Sequence, residues 1–218
     1  IKMNMKKIIL SMLTLSTIAF YSCGEKEAEA EVTETENIEV ARLSGTYHVA
    51  ESSVVTWNVR HYKDTAHAHT GTVGIAKGSI FVEDDAVIGG EFEFDMTKII
   101  EPGTDTSQSW TLQGHLAMAD YFNSAAFATS TFTISSFTDG IVVGNLEVIG
   151  ISKEVSFPAE VVITADYVTV AAEFDLSLLQ FGLPSLVEGD ALPEEEKMES
   201  PNPTVTFQLD ISASKAAH

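Results

Sequence analysis

The stretch Glu154-Val155-Ser156-Phe157-Pro158-Ala159-Glu160-Val161-Val162-Ile163 sends Val155, Phe157, Ala159, Val161 and Ile163 to one side and Glu154, Ser156, Pro158 and Glu160 to the other. Side chains along a strand alternate between faces, so the stretch reads as a ribbon with one greasy face and one solvated face. Val168-Val170-Ala172-Phe174-Leu176 and Val205-Phe207-Leu209-Ile211 repeat the pattern. From Ser44 onward the chain is nearly all strand in this sense, with strands expected over 46–50, 53–62, 71–82, 87–96, 128–137, 141–149, 154–164, 167–176 and 204–212. Asp84-Asp85, Asp139-Gly140 and Ala165-Asp166 supply short turns between neighbours. Short connections pair neighbouring strands antiparallel, which favours an up-and-down barrel of eight strands with an apolar interior over a parallel βαβ design.

Two segments break the alternation. Ser109 to Phe122 carries Leu112, Leu116, Met118 and Phe122 at helical spacing, and is expected as a short amphipathic helix lying across one end of the barrel as a lid. Leu183 to Pro203 holds Glu194-Glu195-Glu196 and four prolines, so it is expected as a long exposed loop before the last strand. Gly78, Gly90, Gly144, Ala159 and Ala172 fall on the inward parity. An eight-stranded barrel is just wide enough to be plugged by its own side chains or to hold one small ligand, and small inward residues argue for a cavity.

The N-terminus reads differently. Lys6 and Lys7 precede the apolar run Ile8 to Phe20, which is too short for a membrane span and has the form of an export signal. Residues 1–22 are assigned to this signal, 23–44 to a tether and 45–218 to the barrel domain. Behind Cys23, the only cysteine, runs the acidic, aperiodic sequence Glu25 to Glu36, expected to be solvated. With no second cysteine there is no internal disulfide, and stability must come from packing. Removing residues 1–22, which hold three lysines and no acid, takes the formal charge from −20 to −23. Nucleic acid is therefore not expected as a partner.

Ala19-Phe20-Tyr21-Ser22-Cys23-Gly24 resembles the lipobox of bacterial lipoproteins, which implies that Cys23 is lipidated and that the protein is exported and held in the cell envelope, with an outer-membrane location implied by the acidic residues that follow. Within the domain, Tyr47-His48-Val49, Ser53-Val54-Val55-Thr56-Trp57, His69-Thr70-Gly71-Thr72-Val73, Lys77-Gly78-Ser79-Ile80 and Gly89-Gly90-Glu91-Phe92-Glu93-Phe94-Asp95-Met96 come in an order that resembles the YceI-like proteins. Leu112-Gln113-Gly114-His115-Leu116, Asp120-Tyr121-Phe122-Asn123, Ala128-Thr129-Ser130-Thr131-Phe132 and Gly144-Asn145-Leu146-Glu147-Val148-Ile149-Gly150-Ile151-Ser152-Lys153 complete the resemblance. Ala126, where the family commonly has proline, and the acidic, proline-rich Leu183 to Pro203 depart from it.

The resemblance implies a lipocalin-like barrel that binds a long apolar molecule, of polyisoprenoid or isoprenoid quinone type, for carriage, storage or sensing. Inward parity then nominates Trp57, Val59, Phe92, Phe94, Phe132, Leu146, Val148, Phe157, Phe174 and Phe207 as its lining, to which His69, His115 and Phe122 are added from the family-like blocks near the barrel end. Each aromatic among them could equally be core. Only Arg60, Lys63, Lys77, Lys98, Lys153, Lys197 and Lys215 offer cations across a strongly acidic domain, so a pyrophosphate would meet net repulsion unless two or three of them converge, and a neutral head group is weighed at least equally with it. His67 and His69 share a face, with His61 and His115 as further neighbours, but two histidines at that spacing fall short of a metal site and no metal or other cofactor is expected. There is no Gly-x-Ser-x-Gly elbow and no set of paired carboxylates on facing strands, so the expectation is a binding protein and not an enzyme. The alternative is an anchored interaction module whose barrel is packed solid; a homodimer is compatible with either.

Overall fold

The computed structural model describes residues 42–64, 66, 68–103, 111–198 and 200–215. The signal run, Cys23, the tether to Ala41, His67, Trp110 and His218 lie outside them. Ten strand segments form one antiparallel sheet: β1 Gly45–Val49, β2 Val54–Arg60, β3 Ala68–Glu83, β4 Ala86–Ile100, β5 Thr129–Thr138, β6 Ile141–Val148, β7 Ile151–Pro158, β8 Glu160–Ile163, β9 Tyr167–Ser177 and β10 Thr204–Lys215. The order across the sheet is β7-β6-β5-β4-β3-β1-β10-β9-β8, with β2 also lying between β3 and β10.

Ten segments make eight staves. β1 and β2 share one position, each pairing with β3 on one side and β10 on the other. The break between them is mended by Ser53, whose Oγ donates to the Ser212 carbonyl (3.1 Å) and accepts from the Ser212 N–H (3.0 Å). β7 and β8 share the eighth position, interrupted at Pro158 and Ala159: β7 pairs with β6 and β8 with β9, so the sheet returns on itself and closes. Proline has no N–H to give a ladder, which places it naturally at such a break. No ladder joins β7 to β9 among the described residues, and a seam runs between them.

Three of the hairpins turn on two residues with positive φ: Asp84 and Asp85, Asp139 and Gly140, and Ile149 and Gly150. Such turns match the right-handed twist of the flanking strands. Ile149 is a poor residue for φ +46°, which is why the sequence pattern carries the strand through it. The helix is shorter than its spacing suggests: α1 covers only Leu112–Leu116, capped by Thr111, whose Oγ1 accepts from the Gly114 N–H at 3.2 Å. Met118, expected on the apolar face, is exposed.

The interior divides in two. Toward the Asp84-Asp85 turn, Tyr47, Ile80, Val82, Val87, Val168 and Ala213 form a solid cluster, with Tyr47, Val168 and Ala213 at 0 % exposure. The Tyr47 hydroxyl donates to the Thr164 carbonyl at 2.9 Å, satisfying its polar end and tying down the β8–β9 turn. Toward α1 a larger cluster, including Trp57, Ile99, Phe132, Val148, Val155, Phe157, Leu178, Phe181 and Leu183, surrounds open space.

Candidate functional site

The open space is a cavity of about 510 Å³ at the α1 end of the barrel. Its wall is built by parity. β2 turns Val55, Trp57, Val59 and then His61 inward; β5 gives Ser130 and Phe132, β6 Leu146 and Val148, β7 Val155 and Phe157, β9 Phe174 and Leu176, β10 Val205, Phe207 and Leu209. On β4, simple alternation after Phe94 and Met96 would bring Lys98 inside. A register shift opposite Val73/Gly74 prevents this and brings Ile99 in instead. Asp95 holds the irregularity, its Oδ1 accepting from the Thr97 N–H at 3.0 Å. The Thr97 hydroxyl, with further help from Lys98, holds the Asp95 carboxyl below its usual pKa. Lys98 therefore lies outside, paired with Asp95 at 3.1 Å.

The mouth is roofed by two long connections. Leu112, His115 and Leu116 of α1, with Tyr121 and Phe122 just after it, cover one side; Leu183, Leu186, Pro201, Asn202 and Pro203 cover another. The loop 183–203 is thus no simple exposed connection: Leu183 and Pro203 are buried. It is sutured to its surroundings because its backbone polar groups need partners. Ser185 donates through its N–H to the Asp120 carbonyl (2.9 Å) and through Oγ to the Asp120 carboxylate (3.0 Å), and the Tyr62 hydroxyl donates to the Val187 carbonyl at 2.8 Å. Glu194 binds both Lys63 and Lys197. Those ammonium partners, Lys197 first, lower the Glu194 carboxyl to about 2.

Apart from Ser130, whose hydroxyl donates to the Glu147 carbonyl, and the buried indole N–H of Trp57, the polar groups of the cavity lie at this rim. His69 Nδ1 lies 2.8 Å from Glu101 Oε1, His61 Nδ1 lies 2.9 Å from the Met198 carbonyl oxygen, and the two imidazole rings stand 5.7 Å apart. Burial, reinforced by the Asp120 carboxylate, pushes the Tyr121 hydroxyl above its usual pKa, so it stays a neutral hydrogen-bonding group. No lysine, arginine, aspartate or glutamate lines the cavity. Lys63, Lys77, Lys98 and Lys197 are engaged with carboxylates, and Lys215 donates to the Ser44 carbonyl. Among the described residues no three histidines, acids or cysteines are grouped so as to hold a metal ion.

Trp57, Val59, Phe94, His69, His115, Phe122, Phe132, Leu146, Val148, Phe157, Phe174 and Phe207 all border the cavity; Phe92 does not. Its ring lies one layer further in, packed against both hydrophobic clusters. A Cβ built on Gly78 would come within 3.0 Å of that ring, and one on Gly144 within 2.6 Å of the Phe132 ring. Gly78 and Gly144 therefore make room for neighbouring side chains, Val49 and Phe92 at the first and Phe132 at the second, and the cavity arises elsewhere, nearer the mouth. Val55, Val73, Val205 and Leu209 were reachable by the same parity, whereas Leu183 and Leu186 come from an aperiodic loop that carries no such signal.

A family model described as the YceI-like domain matches residues 47–213. Among solved structures, the chain is similar to Burkholderia cenocepacia BcnA (14 % identity, TM-score 0.57, 74 % of this chain and 96 % of that one). It is similar also to a polyisoprenoid binding domain from Saccharophagus degradans implicated in plant cell wall breakdown (14 %, 0.57, 79 % and 99 %). The Campylobacter jejuni YCEI protein is a third (13 %, 0.50, 66 % and 85 %). Among curated proteins no sequence matches the chain significantly.

Proposed function

The chain belongs to the YceI-like domain family, and from that premise we propose that its barrel holds an isoprenoid-type lipid by the tail, with an uncharged head at the His61–His69 rim. The observation that carries this reading is the cavity itself. A hydrocarbon-lined space of about 510 Å³ that opens to water at its mouth leaves apolar surface hydrated, at a cost of about 25 cal/mol per Å² that burial would recover. A guest removes that cost. Each methylene it buries contributes about 0.8 kcal/mol, before ordering and association take their share.

The similarity to a polyisoprenoid binding domain supports a tail of that chemistry. The absence of lysine and arginine from the cavity wall supports a neutral head, since a pyrophosphate would be desolvated there with no countercharge. Carriage or storage follows more readily than catalysis from a largely hydrocarbon wall whose polar groups lie mainly at the rim. Export and anchoring through Cys23 rest on the sequence around that residue. Incorporation of labelled fatty acid that is lost in Cys23→Ala tests them; equal labelling of the two would refute the anchor.

Native mass spectrometry with lipid extraction, on protein purified from its own host, tests the ligand. A quinone-like or unphosphorylated prenyl lipid at one per chain is expected. Recovery of a prenyl pyrophosphate would overturn the neutral head, and a barrel free of lipid would favour the anchored interaction module. Turnover of an isoprenoid substrate, in place of its stoichiometric retention, would make the protein an enzyme.

A further inference from the structure

We propose that a plate of phenylalanine rings beneath the cavity is a chain-length stop whose depth is set by Phe92. The proposal rests on the isoprenoid reading of the cavity. At about 30 Å³ for a water-sized group, about 510 Å³ seats roughly seventeen carbons, or about three to four isoprene units. Longer tails must leave through the mouth.

The plate crosses the barrel. Phe92 meets Phe132 (centroids 6.4 Å apart), Phe132 meets Phe157 (5.8 Å), Phe157 stacks on Phe174 (4.1 Å), and Phe174 meets Phe207 (5.8 Å). These rings come from β4, β5, β7, β9 and β10; on the β2–β3 side, where no ring stands, the cavity wall runs one step deeper through Leu209, Val55 and Val73. The Phe157–Phe174 stack also bridges the seam between β7 and β9, where no ladder holds the wall together, and so blocks a sideways exit. Beneath the plate, Tyr47, Ile80 and Val168 leave no bore at all.

Phe92 is the informative member because it borders the solid cluster and not the cavity. Its ring lies 3.0 Å from a Cβ built on Gly78, where Val49 is nearer at 2.5 Å, and 3.5 Å from one built on Gly90, where Ile134 is nearer at 3.0 Å. Neither glycine has a side chain to fall into the gap, so truncating Phe92 would deepen the cavity by up to about 100 Å³, less what Val49 and Ile134 reclaim by repacking.

The test is a series of quinone-headed prenyl chains of one to eight units, titrated against the full chain in a single detergent. Affinity should rise by about tenfold or more per unit up to the third or fourth, then by less than about twofold. Phe92→Ala should move the break outward by about one unit; Phe92→Leu, a milder change to the core, should move it part of the way. Affinity that climbs steadily to eight units, or a break that stays put in folded Phe92 variants, would overturn the stop while leaving the isoprenoid reading intact. No binding at any length would overturn both.

Discussion

The two ends of this barrel are made from the same alternation of residues and reach opposite outcomes. At the Tyr47 end, neighbouring staves meet over short turns, and Tyr47, Ile80, Val168 and Ala213 close on one another until nothing is exposed. At the α1 end one connection is the two-residue Ile149-Gly150 turn, but two others are the long segments 101–128 and 178–203, which roof the bore, and the apolar faces look into a space that no side chain fills. The lesson is that strand pattern makes an apolar bore, and the connections decide which part of it stays hollow. A short turn leaves no material to cap the end, so side chains must plug it; a long loop can roof the end and spare the interior.

The difference can be broken first at its strongest point. Tyr47→Ala removes a fully buried ring and the hydroxyl that holds the Thr164 carbonyl, and should cost about 4 kcal/mol in denaturant unfolding. Leu146→Ala, in the cavity wall, should cost only about 1–2 kcal/mol because one side of that side chain already faces open space. Equal losses would mean that the two ends are packed alike.

Added bulk sharpens the contrast by changing sign. Ala213→Leu places three carbons where exposure is 0 % and should destabilise by about 2 kcal/mol. Val73→Leu adds one carbon into the cavity and should be neutral or stabilise by about 0.5 kcal/mol, while weakening the binding of an apolar guest. Melting temperatures of the apo proteins check the first half of this, and titration with a prenyl quinone the second.

The smallest effect belongs to the roof. The Glu194 carboxyl is lowered from 4.5 to about 2 by Lys197 and Lys63, so its contribution is in place above about 4.5 and is lost as the pH falls through about 2. The group is fully exposed and screened, so Glu194→Gln should leave the melting temperature at pH 7 nearly unchanged. Hydrogen exchange confined to residues 183–200 should nevertheless rise as the pH drops below 4.5 once intrinsic rates are corrected for, and the variant should lose that dependence. A pH response spread through the strands would assign it to other groups.

How much of this was legible in the sequence follows from the same contrast. Wherever alternation was unbroken, as from Val155 to Ile163, parity placed the inward residues, and even the break at Pro158-Ala159 did not disturb it. Parity says which side chains point inward but not how far along the bore they lie, so it does not separate Phe92, which packs against the solid cluster, from the residues that border the cavity. Small residues do not report a cavity for a related reason: the gap at Gly78 is filled by Val49 and Phe92 and that at Gly144 by Phe132, which is visible only once strand register is known. Ile149 as a turn residue, the register shift that keeps Lys98 outside, and the inward Leu183 and Leu186 all depend on tertiary context with no periodic signature.

The most direct measurement is a crystal structure of the protein with a prenyl quinone carrying bromine at the tail end, located by anomalous scattering. The account predicts one bromine site per chain inside the bore, over the Phe132 and Phe174 rings and short of Phe92. A bromine lodged beyond Phe92 among Tyr47, Ile80 and Val168, or found only on the outer surface, would contradict it.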